Sequence, residues 1–235
     1  MRLVASSDWH GDQSTAGVDR YDDVCRAIDV SVQAAIDLNA DAYLMCGDLT
    51  DPNTVRSHRA VAKAIKVQRT LHDADIIPIF VAGNHDVIED GSGMTTMSPL
   101  AATGHGWVFE RPTMMQVCDV VIIALPFTAT SHEYAPGEFI RECHGGAGEH
   151  IKPVLIIGHL NLEGISPGSE TTDMPRGRNV YWPMDAIKEC FPTATVIGGH
   201  YHTPQEYNGV TIIGSMVRLR FDERDNTPGY IVVEV

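Results

Sequence analysis

The stretch Ile76-Ile77-Pro78-Ile79-Phe80-Val81-Ala82-Gly83-Asn84-His85-Asp86 is an apolar run that ends in a glycine followed by three polar, chemically capable side chains. An unbroken apolar run of this kind reads as a strand buried on both faces, as in a parallel sheet covered by helices. Ligands of open α/β sheets sit at the carboxyl ends of the strands, so Asn84 and His85 are expected to line a crevice. The same punctuation recurs along the chain. Leu3-Val4-Ala5 runs into Asp8-Trp9-His10, and Ala42-Tyr43-Leu44-Met45-Cys46 into Gly47-Asp48. Val154-Leu155-Ile156-Ile157 runs into Gly158-His159, and Ala194-Thr195-Val196-Ile197 into Gly198-Gly199-His200-Tyr201-His202.

Carboxylate, carboxamide and neutral imidazole are the ligand set that suits Mn²⁺, Fe²⁺ or Zn²⁺, and no thiolate accompanies them. Two metals a few ångströms apart need one shared anionic ligand, and Asp48, alone at its strand end, is the natural bridge. Asp8, His10 and His202 would complete one position, and Asn84, His159 and His200 the other. Any single Gly-His pair would read as an ordinary histidine. Five strand ends carrying the same chemistry do not.

Between the motifs, Val24, Ile28, Val32, Ala35, Ile36 and Leu38 recur at helical spacing, as do Val61, Ala64, Ile65, Val67 and Leu71, with Thr54 or Ser57 as the cap of the second helix. Strand, helix, strand, helix, strand means a parallel sheet. Asp12 to Arg20 reads as a polar turn, Pro99 to Thr103 as a short helix, and Trp107 to Leu125 as successive strands that open the second half of a sandwich. Residues Ala135 to His150 read as an exposed helix with Phe139, Ile140 and Cys143 inward. The polar stretch from Leu160 to Pro183 reads as a substrate-facing loop, with Arg176 and Arg178 as candidate phosphate contacts. Asn208-Gly209 signals a type I′ hairpin, and Met216 to Phe221 and Tyr230 to Val235 read as further antiparallel strands.

The 235 residues are expected to form one domain spanning 1–235 with no capping domain. The five scattered cysteines lack a Cys-x-x-Cys pair, which points to reduced thiols and a cytoplasmic setting. No stretch is apolar enough to imply a membrane partner. A net charge of −14 argues against a broad basic face for nucleic acid, although two divalent cations at the converging ligands would create a local field able to attract a phosphodiester.

Asp8-x-His10, Gly47-Asp48, Gly83-Asn84-His85-Asp86, Gly158-His159 and Gly199-His200-x-His202 resemble, in order, the complete signature of the calcineurin-like metallophosphoesterase superfamily. That resemblance implies an α/β fold, a four-layer α/β/β/α sandwich of two mixed sheets flanked by helices. It also implies a dinuclear metal site and hydrolysis of phosphoric esters. In the family pattern His85 is the general acid, and Asp86 would fix its tautomer or cap a helix. The segment Gly214-Ser215-x-x-Arg218-x-x-Phe221-x-Glu223 with Pro228-Gly229-Tyr230 is similar to the end of the nuclease domain in SbcD-type DNA repair exonuclease subunits, a phage-type member included. By that resemblance the substrate is DNA or another phosphodiester and the cofactors are two divalent ions, Mn²⁺ first, with Fe²⁺ or Zn²⁺ as alternatives. An SbcC-like ATPase is a conditional partner, since the segments that grip it are not among these residues, and a homodimer is an allowed assembly. Competing expectations are a general phosphomonoesterase or cyclic nucleotide phosphodiesterase of the same superfamily, and a noncatalytic binding scaffold.

Overall fold

Double-faced burial of the central strands sets the layering of the molecule. A computed structural model describes residues 1–51, 57–88, 94–127, 135–147, 152–162, 165 and 181–235. The strands are β1 (Arg2–Ser6), β2 (Ser14–Thr15), β3 (Val18–Asp19), β4 (Ala42–Cys46), β5 (Ile77–Val81), β6 (Trp107–Phe109), β7 (Thr113–Val117), β8 (Val120–Leu125), β9 (Val154–His159), β10 (Thr195–Gly199), β11 (Gln205–Tyr207), β12 (Val210–Ile212) and β13 (Ile231–Glu234). The α-helices are α1 (Tyr21–Asp37), α2 (Ser57–Asp73), α3 (Ser98–Ala101), α4 (Pro136–Ala147) and α5 (Met184–Cys190). One sheet has the order β13-β1-β4-β5-β6, parallel except for β13. The other has the order β11-β12-β10-β9-β8-β7, parallel from β12 to β8 with an antiparallel strand at each edge.

Successive side chains of a strand point to opposite faces, and the sequence fills both. Leu3, Ala5, Leu44, Cys46, Ile79 and Val81 of the first sheet meet Ile122, Leu155, Ile157 and Ile197 of the second in a core between the sheets. The intervening residues Val4, Tyr43, Met45 and Phe80 face outward onto Val24, Ile28 and Val32 of α1 and Ala64, Val67 and Leu71 of α2. On the far side, Ile123, Leu125, Ile156 and Val196 pack on Ile140 and Cys143 of α4 and Ile187 of α5. The result is the expected four-layer α/β/β/α sandwich of two mixed sheets. Each such aliphatic side chain contributes about 2 kcal/mol by leaving water.

Register brings the strand ends level. Ser6 pairs with Met45, Cys46 with Val81, and His159 with Gly199, so the loops that follow leave from one edge of each sheet. Several expectations are corrected by the backbone. Asp12 to Arg20 contains a small hairpin, β2–β3, rather than a plain turn. Met216 to Phe221 is not a strand: Met216 and Leu219 insert into the first core, and the chain then winds into a 3₁₀ turn over Phe221–Asp225. Thr54 and residues 148–150 lie outside the described residues. Ser57 opens α2, but its hydroxyl donates to Asp12 Oδ2 at 2.8 Å. Asn208 and Gly209, both with positive φ (52° and 82°), form the tight turn between β11 and β12 as the sequence signal required.

Candidate metal centre

The loop after β1 is stitched to the loop after β4 by backbone bonds: the amides of Asp8, His10 and Gly11 donate to the carbonyls of Gly47, Asp48 and Leu49, each at 3.0 Å. This brings the carboxylates of Asp8 and Asp48 to one spot. Four residues of the candidate ligand set hold left-handed backbone, Asp8 (φ 49°), His10 (42°), Asp48 (57°) and His200 (96°). For side-chain-bearing residues such conformations cost about 1–3 kcal/mol each and survive only where surrounding contacts enforce them. Two glycines make room for the approach. A Cβ on Gly83 would lie 2.3 Å from the Asp48 amide nitrogen, and one on Gly47, itself at φ 96°, 2.1 Å from His159 Nδ1.

All seven residues anticipated as ligands converge. Asp8, His10 and His202 place one ligand atom each within 4.8 Å of one another, and so do Asp8, Asp48 and His159. Asp48 Oδ2 lies 3.6 Å from His10 Nε2 and 3.3 Å from His159 Nε2, one ring from each proposed half of the site. Asn84 Oδ1 is 2.8 Å from His159 Nε2 and 3.2 Å from His200 Nδ1. Across the site, His10 Nε2 is 3.2 Å from His202 Nε2.

This donor set fits cations better than it fits itself. His159 Nδ1 lies 2.9 Å from the Cys46 carbonyl, which only accepts, so the proton of the neutral ring sits there. Its Nε2 lone pair then faces Asn84 Oδ1 and Asp48 Oδ2, three acceptors aimed at one point. His200 Nδ1, 3.2 Å from His159 Nε2, can donate to one of them, whereas a proton or a metal ion at that point satisfies all three at once. In the metal-free protein protons do so. Burial alone would lower both values, but Asp51, Asp48 and Asp8 outweigh it at His10, and Asp48, Asp8 and the Cys46 carbonyl outweigh it at His159, holding each at about 9. Asp48 stays ionised well below the usual carboxylate range: burial opposes this, and His159 and His85 overcome it. His200, desolvated and beside His159, is pushed down to about 3.

A metal ligand must be neutral imidazole, so ions entering below pH 9 should expel protons from His10 and His159. Apparent affinity should therefore rise with pH and level off above about 9. Proton release on metal addition in weakly buffered solution checks this; release that stays at zero from pH 6 to 8 contradicts it.

His85 lies at the rim of the group. Its amide donates to Asp48 Oδ1 at 2.9 Å, and its ring Nε2 is 3.9 Å from Asp48 Oδ2. Asp86 does not reach the ring of His85. Its carboxylate accepts from the amides of Gly83 (2.9 Å), Leu49 (3.3 Å) and Thr50 (3.1 Å) and from the hydroxyls of Thr50 and Thr96. It ties the loop after β5 to the loop after β4, and burial pushes its pKa up to about 6. Asp86→Ala should leave the three amides buried and unpaired and lower unfolding stability by about 3 kcal/mol. Urea unfolding of the metal-free protein measures it, and a change near zero would refute the clamp.

The carboxylate that faces His85 is Asp51, whose Oδ1 is 3.6 Å from His85 Nδ1 and 3.6 Å from His10 Nδ1. Sequence reasoning missed it, although it stands three residues after Asp48 in Gly47-Asp48-Leu49-Thr50-Asp51. Arg176 and Arg178 lie outside the described residues.

The model of the calcineurin-like phosphoesterase family matches residues 1–204. The chain belongs to that family. As a calcineurin-like phosphoesterase it is a metal-dependent hydrolase, in a family that binds a dinuclear divalent metal centre. It is 24% identical to exonuclease subunit 1 of Enterobacteria phage T4 over 251 residues, 98% of this chain and 63% of that protein. It is also 24% identical to the SbcD component of the nuclease SbcCD from Escherichia coli K12 over 266 residues, 95% of this chain and 62% of that one. The phosphoesterase thus spans a little over three fifths of these relatives' length. Among solved structures its fold is similar to a dimetal phosphatase from Danio rerio (TM-score 0.60, 10% identity, covering 99% of this chain and 91% of that one). TT1561 of Thermus thermophilus is comparable (TM-score 0.56, 15% identity, covering 92% and 89%). Among the described residues no helix is long and apolar enough to cross a membrane.

Proposed function

We propose that this chain is a dinuclear metal-dependent phosphodiesterase that hydrolyses DNA, an SbcD-like nuclease, with Mn²⁺ as its working ion. The observation that carries the hydrolytic reading is Asp48 Oδ2, within 3.6 Å of one histidine from each half of the site, with His85 beside it. In this reading Asp48 is the shared ligand, Asp8, His10 and His202 hold one ion, and Asn84, His159 and His200 hold the other. Two divalent cations there supply Lewis acidity toward phosphoryl oxygens and a water of lowered pKa. Everything else falls to the chain. Asn84 and the histidines fix the approach of the phosphate. His85 Nε2 donates a proton to the leaving oxygen, and Asp51 opposite Nδ1 keeps the ring turned for that task. Asp86 enters as a brace for the two loops, not as part of the proton path.

DNA as substrate is supported by the two nuclease relatives and by the Gly214 to Glu223 segment. Residues 1–235 then act as one phosphoesterase domain. Arg176 and Arg178 are proposed to meet the phosphate backbone, and an SbcC-like ATPase is a proposed partner. With a net charge of −14, duplex affinity should be weak and carried by few phosphates. Its logarithm should fall against the logarithm of salt with a slope of roughly 0.9 per phosphate contacted. The same acidity favours a second reading, a phosphomonoesterase or cyclic nucleotide phosphodiesterase.

Turnover of bis-p-nitrophenyl phosphate, p-nitrophenyl phosphate and end-labelled DNA by Mn²⁺-loaded protein separates the two. Diester and DNA cleavage with little monoester turnover is expected. Small-ester turnover with every DNA untouched, with and without a candidate ATPase, would leave the second reading standing.

A further inference from the structure

The carboxylate of Glu223 is buried inside the 3₁₀ turn Phe221–Asp225, far along the chain from every strand-end motif. One oxygen, Oε1, lies 2.7 Å from His202 Nδ1, and the other accepts the Leu219 amide at 2.7 Å. An ionised carboxylate only accepts, so the imidazole must place its proton on Nδ1. The opposite nitrogen, Nε2, is thereby left with its lone pair toward Asp8 Oδ1 at 3.9 Å and His10 Nε2 at 3.2 Å. The segment around Glu223 is built onto the same residue. The Ser215 amide donates to the His202 carbonyl at 3.2 Å, Asn226 Nδ2 donates to it at 3.3 Å, and the Arg218 guanidinium holds the Asn226 carbonyl at 2.8 and 3.1 Å.

We propose that Glu223 is a positioning residue that fixes the tautomer and ring orientation of His202, and so sets the affinity of the Asp8–His10–His202 metal position without touching metal or substrate. This rests on the dinuclear reading above. It gives the Gly214 to Glu223 segment, singled out by its likeness to nuclease subunits, a task in the metal centre in place of a DNA contact. Outer-shell partners of metal-bound histidines typically govern about 10- to 100-fold in metal affinity or activity.

The experiment compares wild type, Glu223→Ala, Glu223→Gln and Arg218→Ala. In metal-free protein at pH 8, ¹⁵N-histidine NMR reads which nitrogen of His202 carries the proton. Equilibrium dialysis with elemental analysis reads Mn²⁺ bound per chain. Wild type should show the Nδ1–H form and two ions. Glu223→Ala should lose that preference and bind one of the two ions about 10- to 100-fold more weakly, with turnover recovering at high Mn²⁺. Glu223→Gln, which retains an acceptor for Nδ1–H, should fall between. Arg218→Ala loosens the same segment away from the ring, and should lower thermal stability while keeping the tautomer and both affinities.

An unchanged tautomer with two wild-type affinities in Glu223→Ala would overturn the proposal. Equal loss of affinity in Arg218→Ala would overturn it too, by reducing Glu223 to a brace. Wild-type protein that binds fewer than two ions would instead overturn the dinuclear reading, and the tautomer comparison would still decide whether Glu223 directs His202.

Discussion

Asp48→Asn should give a folded protein that retains little metal and hydrolyses phosphodiesters no faster than the buffer blank. The change is isosteric, so Oδ1 can still accept the His85 amide, and the left-handed φ of 57° suits asparagine as well as aspartate. What disappears is the anion between the histidines. An amide NH₂ at the Oδ2 position can donate to the Nε2 lone pair of His159, which eases the crowding of acceptors in the metal-free pocket while removing the one charge that both ions would share. The protein should therefore melt cooperatively by circular dichroism while elemental analysis finds the metal gone. Two ions per chain with near-normal turnover would end the case for Asp48 as the bridge.

The second large effect is expected at His85, where binding and chemistry should separate. His85→Ala leaves the backbone amide that holds Asp48 in place, so both ions should remain. Turnover should fall by roughly two to four orders of magnitude on an ester with a poor leaving group. A p-nitrophenolate leaves without help, so its ester should suffer far less. Asp51→Ala should reproduce that leaving-group dependence in milder form, about 10- to 100-fold, by freeing the His85 ring, and should also weaken binding at the His10 position, whose Nδ1 faces the same carboxylate. Equal losses on activated and unactivated esters would remove His85 from the proton path, with Asp51 alongside it.

The strand ends were legible in the sequence because parallel strands buried on both faces have few places for polar atoms except where they stop. Once Leu3, Leu44, Ile79, Ile156 and Ile197 are read as strand, the next polar residues are constrained to one rim. Partnerships made in three dimensions were less legible. Asp86 follows His85 in the chain, but the turn after Gly83 sends its carboxylate back toward the loop after β4. The partner of His85 comes from that loop instead, at Asp51. Val217-Arg218-Leu219-Arg220-Phe221 alternates like a strand, with apolar and polar residues in turn. There the tertiary demand of His202 for a carboxylate, and burial of Met216 and Leu219, override the local pattern.

The left-handed residues at Asp8, His10, Asp48 and His200 have a consequence for supply. A pocket that collects unfavourable backbone and crowded acceptors at one point weakens the empty protein, and each ion that binds returns stability by mass action. Above its dissociation constant, every tenfold increase in free ion should add about 1.4 kcal/mol per occupied position to the free energy of unfolding. The melting temperature then serves as a gauge of occupancy. In a metal-starved cell the same arrangement would feed the empty chains to proteases first, so that abundance follows the availability of the ion.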